Sequence, residues 1–242
     1  MLWALLRRGL LIGALAGLLA GLFGLAVGES RVQRAIDIEQ RQLAREPGTA
    51  PPAQDELVSR DGQRAGLPLA ATLYGAFLGG LFACAFAAAR GRVGAASDWQ
   101  LSIRLAAALF AALVLIPFLK YPANPPAVGD PATIGQRTAA YLVLLAACLL
   151  ALLAGVRAAR AVRADAAPWT RPLVAGVTFL GTVVLAMVLL PAAEEVPTSF
   201  PSDLLWEFRL TSLGTQLVLW ATLGTGFGVL THRAAARAPE RA

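Results

Sequence analysis

Residues 9–28 read GLLIGALAGLLAGLFGLAVG, a run without a single charged side chain. At 1.5 Å per residue, a helix of that length covers about 30 Å, the thickness of a bilayer's hydrocarbon core. Gly9, Gly13, Gly17 and Gly21 recur at every fourth position, with Gly24 and Gly28 behind them. One face of such a helix is a groove without side chains, into which a second helix packs closely. The stretch therefore predicts a membrane-crossing helix that needs a close neighbour.

The rest of the chain supplies neighbours. Further apolar windows fall at 67–89, 101–119, 138–156, 172–190 and 210–230. The third is the shortest, because Arg104 confines its charge-free part to 105–119. Small residues at four-residue spacing return as Ala71, Gly75 and Gly79 in the second window and as Gly224 and Gly228 in the sixth. The whole chain is 57% hydrophobic and 15% charged, against roughly 25% charged in soluble domains. These features predict an all-α integral membrane protein, a bundle of about six transmembrane helices forming one membrane domain over 1–242. The glycine faces serve either static packing within the bundle or an interface with a second copy in a homo-oligomer. Ala26-Val27-Gly28 also fits a signal-peptide cleavage site, although the apolar run exceeds the usual 7 to 15 residues or so.

The formal net charge is +6. In a soluble protein that would suggest nucleic acid; here the basic residues sort by side of the membrane, and no nucleic-acid partner is expected. Twelve of the 21 Lys and Arg fall on the side shared with the N-terminus, against three of the 15 acids. The positive-inside rule then puts both termini in the cytoplasm and the protein in the cytoplasmic membrane. Arg157, Arg160 and Arg163 are read as topology signals that also meet anionic lipid. Cys84 and Cys148 fall within spans and make neither a metal spacing nor a disulfide framework.

On the outer side, residues 29–66 form a polar loop that begins as a short amphipathic helix. Val32, Ala35, Ile36 and Leu43 share one stripe, Asp37 and Arg41 are spaced to pair, and Pro47-Gly48 ends the helix. The loop from Lys120 is rich in proline, which holds it extended, and Asp130-Pro131 reads as an N-cap with proline at the first helical position. Arg137 falls seven residues past Asp130, on nearly the same face. In the last outer loop, with Glu194 and Glu195, a helix starting near Ser202 would stack Asp203 and Glu207 one turn apart. Such a pair either holds a divalent cation transiently or simply complements the helix dipole. Trp206 and Phe208 read as interfacial anchors, and Gln216 with Thr215 is the most polar part of the last span.

The segments FLKYPANPPAVGDPATIGQRT and FPSDLLWEFRLTSLGTQLVLW, together with the glycine-rich first span and its following AIDIE, resemble the CbtA family of proposed cobalt transporter subunits. The likeness runs in order over essentially the whole chain. It implies a membrane protein tied to vitamin B12 metabolism and a small single-span, histidine-bearing CbtB-type partner. The family positions carried over are Lys120, Tyr121, Pro122, Asn124, Pro125, Pro126, Thr133 and Arg137, beside the Asp130 cap, and then Pro201, Asp203, Phe208, Arg209 and Gln216. Two departures stand out. Members are described with about five spans where this chain reads as six. The only histidine, His232, lies at the cytoplasmic end.

The resemblance implies a divalent-cation uptake subunit, and the spacing of the acids then suggests Asp203 and Glu207 at the outer mouth with Asn124, Arg137 and Gln216 shaping the path, no permanently bound cofactor, and Co2+ or another divalent cation as transient cargo. Carboxylates and carbonyls discriminate poorly among such metals, so selectivity would come from the partner. Arg209 beside those acids is unfavourable for a cation and could instead pair with one of them. The alternative is a non-transporting scaffold or assembly subunit. An enzyme is not expected, since HExxH, GxSxG and paired intramembrane acids are all missing from the sequence.

Overall fold

The computed structural model describes residues 2–44, 59–94, 97–192 and 196–237. Pro47-Gly48 and the loop after it, and Glu194 and Glu195, lie outside the described residues. The chain is 83% helical with no strand among the described residues. Six helices are long and apolar enough to cross a membrane: α1 (Leu2–Leu43), α2 (Arg60–Ala89), α3 (Asp98–Lys120), α4 (Pro131–Ala161), α5 (Thr170–Leu189) and α6 (Ser202–Ala236). They form two compact units. The first comprises Met1–Ala107, Asn124–Ala127 and Phe200–Ala242, and the second Ala108–Ala123 and Val128–Ser199.

In the first unit, the glycine stripe of α1 meets that of α2. A Cβ on Gly9, Gly13 or Gly17 would run into the backbone carbonyl oxygen of Gly79, Gly75 or Ala71 respectively. The clash is reciprocal, since a Cβ on Gly75 or Gly79 would strike the carbonyl of Gly13 or Gly9. The glycine faces are thus occupied by one another within a single chain. Below them, Phe82 and Phe86 of α2 pack edge-on against Phe227 of α6, with centroids 5.3 and 5.0 Å apart. Gly224 and Gly228 of α6 leave room for Ala106, Ser102 and Trp99 of α3. Ser102 is fully buried and its hydroxyl donates to the Gly224 carbonyl at 2.7 Å. Ser102→Ala should lower resistance to unfolding in detergent by on the order of 1 kcal/mol, the usual worth of one buried hydrogen bond between membrane helices.

Helix α1 spans 42 residues, or about 63 Å, so its charged second half extends beyond the hydrocarbon core. The join is a π-helical turn at Gly24–Gly28. There Arg31 donates to the Val27 carbonyl, and Thr211 and Thr215 of α6 face Gly28 and Gly24. A second π turn, Ala111–Leu115, precedes Pro117 in α3, where the missing proline N–H cannot close an ordinary α turn. Helix α2 begins at Arg60, capped by Ser59, so residues 60–66 are helical where the sequence reads as loop.

In the second unit, α4 and α5 are antiparallel neighbours drawn together where Gly155 meets the Ala175 backbone. Their core holds Ala112, Ile116, Leu144, Cys148, Ala151 and Val183, with Tyr121, Phe179 and Met187 packed against it.

Candidate functional site

Within the first unit, the two segments that carry the family resemblance meet. Residues 124–127 cannot form a helix, because Pro125 and Pro126 lack backbone donors. Pro125 is buried, and Ala127 takes a positive φ of 67°. The Asn124 side-chain oxygen is thereby presented to Arg209, whose Nη2 donates to it at 2.9 Å. The Arg209 Nε is buried without a hydrogen-bond partner. The sequence left Arg209 to pair with Asp203 or Glu207; instead it holds an amide from the proline loop.

The acids of α6 have other surroundings. Glu207 accepts from Arg34 Nη2 at 2.8 Å and lies 3.3 Å from Arg31 Nε. One level along, Glu29 of α1 lies between Arg60 at 2.8 Å and Arg64 at 2.7 Å. Arg64 also donates to Gln33 at 3.1 Å, and Gln33 to Asp37 at 3.0 Å. Asp37 thus accepts from Gln33, where the sequence pattern pointed to Arg41. Glu207 and Glu29 are each flanked by two guanidiniums, and Asp61 lies 3.5 Å from Arg64 Nη1. A dication at Glu207 would have to displace both arginines, which makes this a tie between helices rather than an open ligand.

Asp203 is exposed, a turn away from that tier. Pro201 is also exposed, Phe208 and Gln216 are half-buried, and Trp206 is 60% exposed as an interfacial side chain would be. Among the described residues, no group of three His, Cys, Asp or Glu is placed to hold a metal ion. His232 is exposed at the far end of α6.

The remaining motif residues fall in the second unit. Asp130 caps α4 by accepting from the Ala132 amide at 2.8 Å. Its carbonyl receives the Thr133 hydroxyl at 2.9 Å and Arg137 Nη2 at 3.2 Å. Gly129, at φ +116°, passes directly under the Arg137 guanidinium, where a side chain would collide. The Tyr121 hydroxyl donates to the Pro191 carbonyl at 2.7 Å, burial pushes its pKa up, and Lys120 Nζ lies 5.5 Å over its ring. Pro122 is half-buried. Tyr121, Thr133, Gln136, Arg137 and Pro191 line a cleft of about 70 Å³, room for a water or two.

Sequence reasoning missed Arg31, Arg34, Arg60 and Arg64. The four-residue spacing of Arg60 and Arg64 is a signal only once that stretch is known to be helical.

A family model described as "Probable cobalt transporter subunit (CbtA)" matches residues 2–232. No curated protein and no solved structure matches the chain.

Proposed function

This chain belongs to the CbtA family, and from that premise we propose that it is the membrane subunit of a cobalt-uptake system serving vitamin B12 metabolism. Both termini lie in the cytoplasm in this reading. The observation that carries it beyond the family match is the meeting of the two motifs at Arg209 and Asn124. Two segments far apart in the sequence are joined by a specific polar contact at the head of a transmembrane helix.

Cobalt is cargo in this scheme. The membrane potential alone favours entry of a dication by roughly 4.6 kcal/mol per 100 mV, so the path needs only to admit the ion. Selection among metals needs nitrogen or sulfur ligands. We assign that task to a small single-span, histidine-bearing CbtB-type partner, since Glu207 and Glu29 are held by arginines and carboxylate oxygen discriminates poorly among divalent metals. The chain performs transport and no chemical conversion. The test is cobalt uptake in cells lacking other importers, with this chain deleted, its partner deleted, or both restored. Dependence on both supports the reading; uptake unchanged without this chain rejects it.

A scaffold reading is favoured by one observation, the pairing of Glu207 with Arg31 and Arg34. The two readings separate at Asp203. Asp203→Asn should slow cobalt uptake by a few-fold if the exposed carboxylate gathers cations at a mouth, in line with the modest field of one solvated charge, and should leave it unchanged for a scaffold. Glu207→Gln should instead weaken assembly, seen as lower thermal stability of the purified protein, because two arginines lose their counter-charge.

A further inference from the structure

Helix α3 is one helix with two sets of neighbours. Its first half packs in the first unit, where the Ser102 hydroxyl donates to the Gly224 carbonyl and Ala106 fills the space beside Gly224 of α6. Its last part packs in the second unit, where Ala112 and Ile116 join Leu144 and Cys148 of α4 in one buried cluster. The division between the units falls at Ala107 and Ala108, and the π turn Ala111–Leu115 begins within one helical turn of it.

The backbone ladder is incomplete at that turn. The Ile116 amide donates to the Ala111 carbonyl, one residue further back than an α-helix would place it. The Ala112 carbonyl thereby loses the amide of an ordinary α turn. The next amide along, which would serve it in a π turn, belongs to Pro117 and does not exist. Ala112 is fully buried, about 20 Å into a helix of about 35 Å. Hydrocarbon offers no water to replace the lost donor, so the break costs stability. It also makes this turn the place where α3 bends most easily, since proline and π turns are where helices kink.

We propose that α3 is hinged at Ala111–Leu115 and bends there during transport, carrying Ile116–Lys120 and the start of the proline-rich motif with it. A hinge of this kind is a few positions that absorb the change in backbone angles while the packed segments on either side stay intact. The role in transport rests on the cobalt-uptake reading; the bend itself does not.

The test uses the full chain in lipid nanodiscs, with spin labels on Leu119→Cys, beyond the turn, and on Leu210→Cys of α6, in a Cys84→Ser background. Both labelled positions are exposed, and Cys148 is fully buried. A change in bend of about 20° moves Leu119, some 12 Å past the turn, by about 4 Å. The label distances in the otherwise native chain should therefore form two populations about that far apart. Pro117→Ala returns an amide to the Ala112 carbonyl; it should leave one population and lower initial cobalt uptake by at least about fivefold. A single narrow population without that substitution would overturn the hinge, and this result does not depend on the variant folding. So would two populations unchanged by Pro117→Ala, or one population in Pro117→Ala with full uptake. Two populations that Pro117→Ala merges, in a chain that carries no cobalt, would keep the hinge and reject the transport reading instead.

Discussion

Gly13→Leu is expected to yield no stable protein, seen as loss of the monodisperse peak and of membrane-inserted chain at matched expression. The Cβ alone would run into the Gly75 carbonyl oxygen and lie 2.8 Å from the Gly79 Cα. Both obstacles are backbone, which cannot rotate away, so α1 and α2 must separate along the stripe. The Gly9, Gly17 and Gly21 contacts are lost together with Gly13. Close packing is the main force between helices in lipid, where burial of apolar surface offers little. The cost should therefore exceed the 1 to 3 kcal/mol or so of ordinary overpacking. Gly176→Ala is the control. A Cβ there meets nothing within 4 Å, and removing a mid-helix glycine should be neutral or stabilising by up to about 1 kcal/mol. Instability of both variants alike would mean that helix propensity, not the groove, governs the fold.

The groove was legible because a period of four in glycine has one physical use in an apolar helix. The Asp130 cap was legible for a similar reason, since an acceptor before Pro131 satisfies an amide locally. What escaped depends on distant residues. Gly62 and Gly66 make residues 60–66 look like a loop, yet the structure is helical from Arg60. Pro68 lies inside that helix, where it forgoes one backbone hydrogen bond without ending it, and Arg60 and Arg64 are anchored on Glu29. Likewise Asp203 and Glu207 share a helical face by spacing alone, but spacing cannot reveal that Arg31 and Arg34 arrive on another helix to take Glu207. Arg209 is two positions from Glu207 and six from Asp203, so helical geometry turns it away from the first. Its actual partner, Asn124, is 85 positions distant.

That partner gives the second large effect. Arg209→Ala should abolish cobalt uptake, or reduce it at least about tenfold, while the protein still folds and inserts. The reduction is what losing one charge-assisted hydrogen bond of about 1.5 to 3 kcal/mol would produce if the proline loop must be held in place for transport. Arg209→Lys should fall between, since a single ammonium reaches the Asn124 oxygen without the planar fork that positions it. Asn124→Ala should reproduce most of the Arg209→Ala loss, and adding it to Arg209→Ala should cost little more, because the two side chains act through one contact. The readout is initial cobalt uptake at equal surface expression, with thermal stability measured on the same variants. Additive losses from Asn124→Ala and Arg209→Ala would separate the two motifs: Arg209 would then act elsewhere, through its buried Nε, and the loop at 124–127 would serve only to shape the chain.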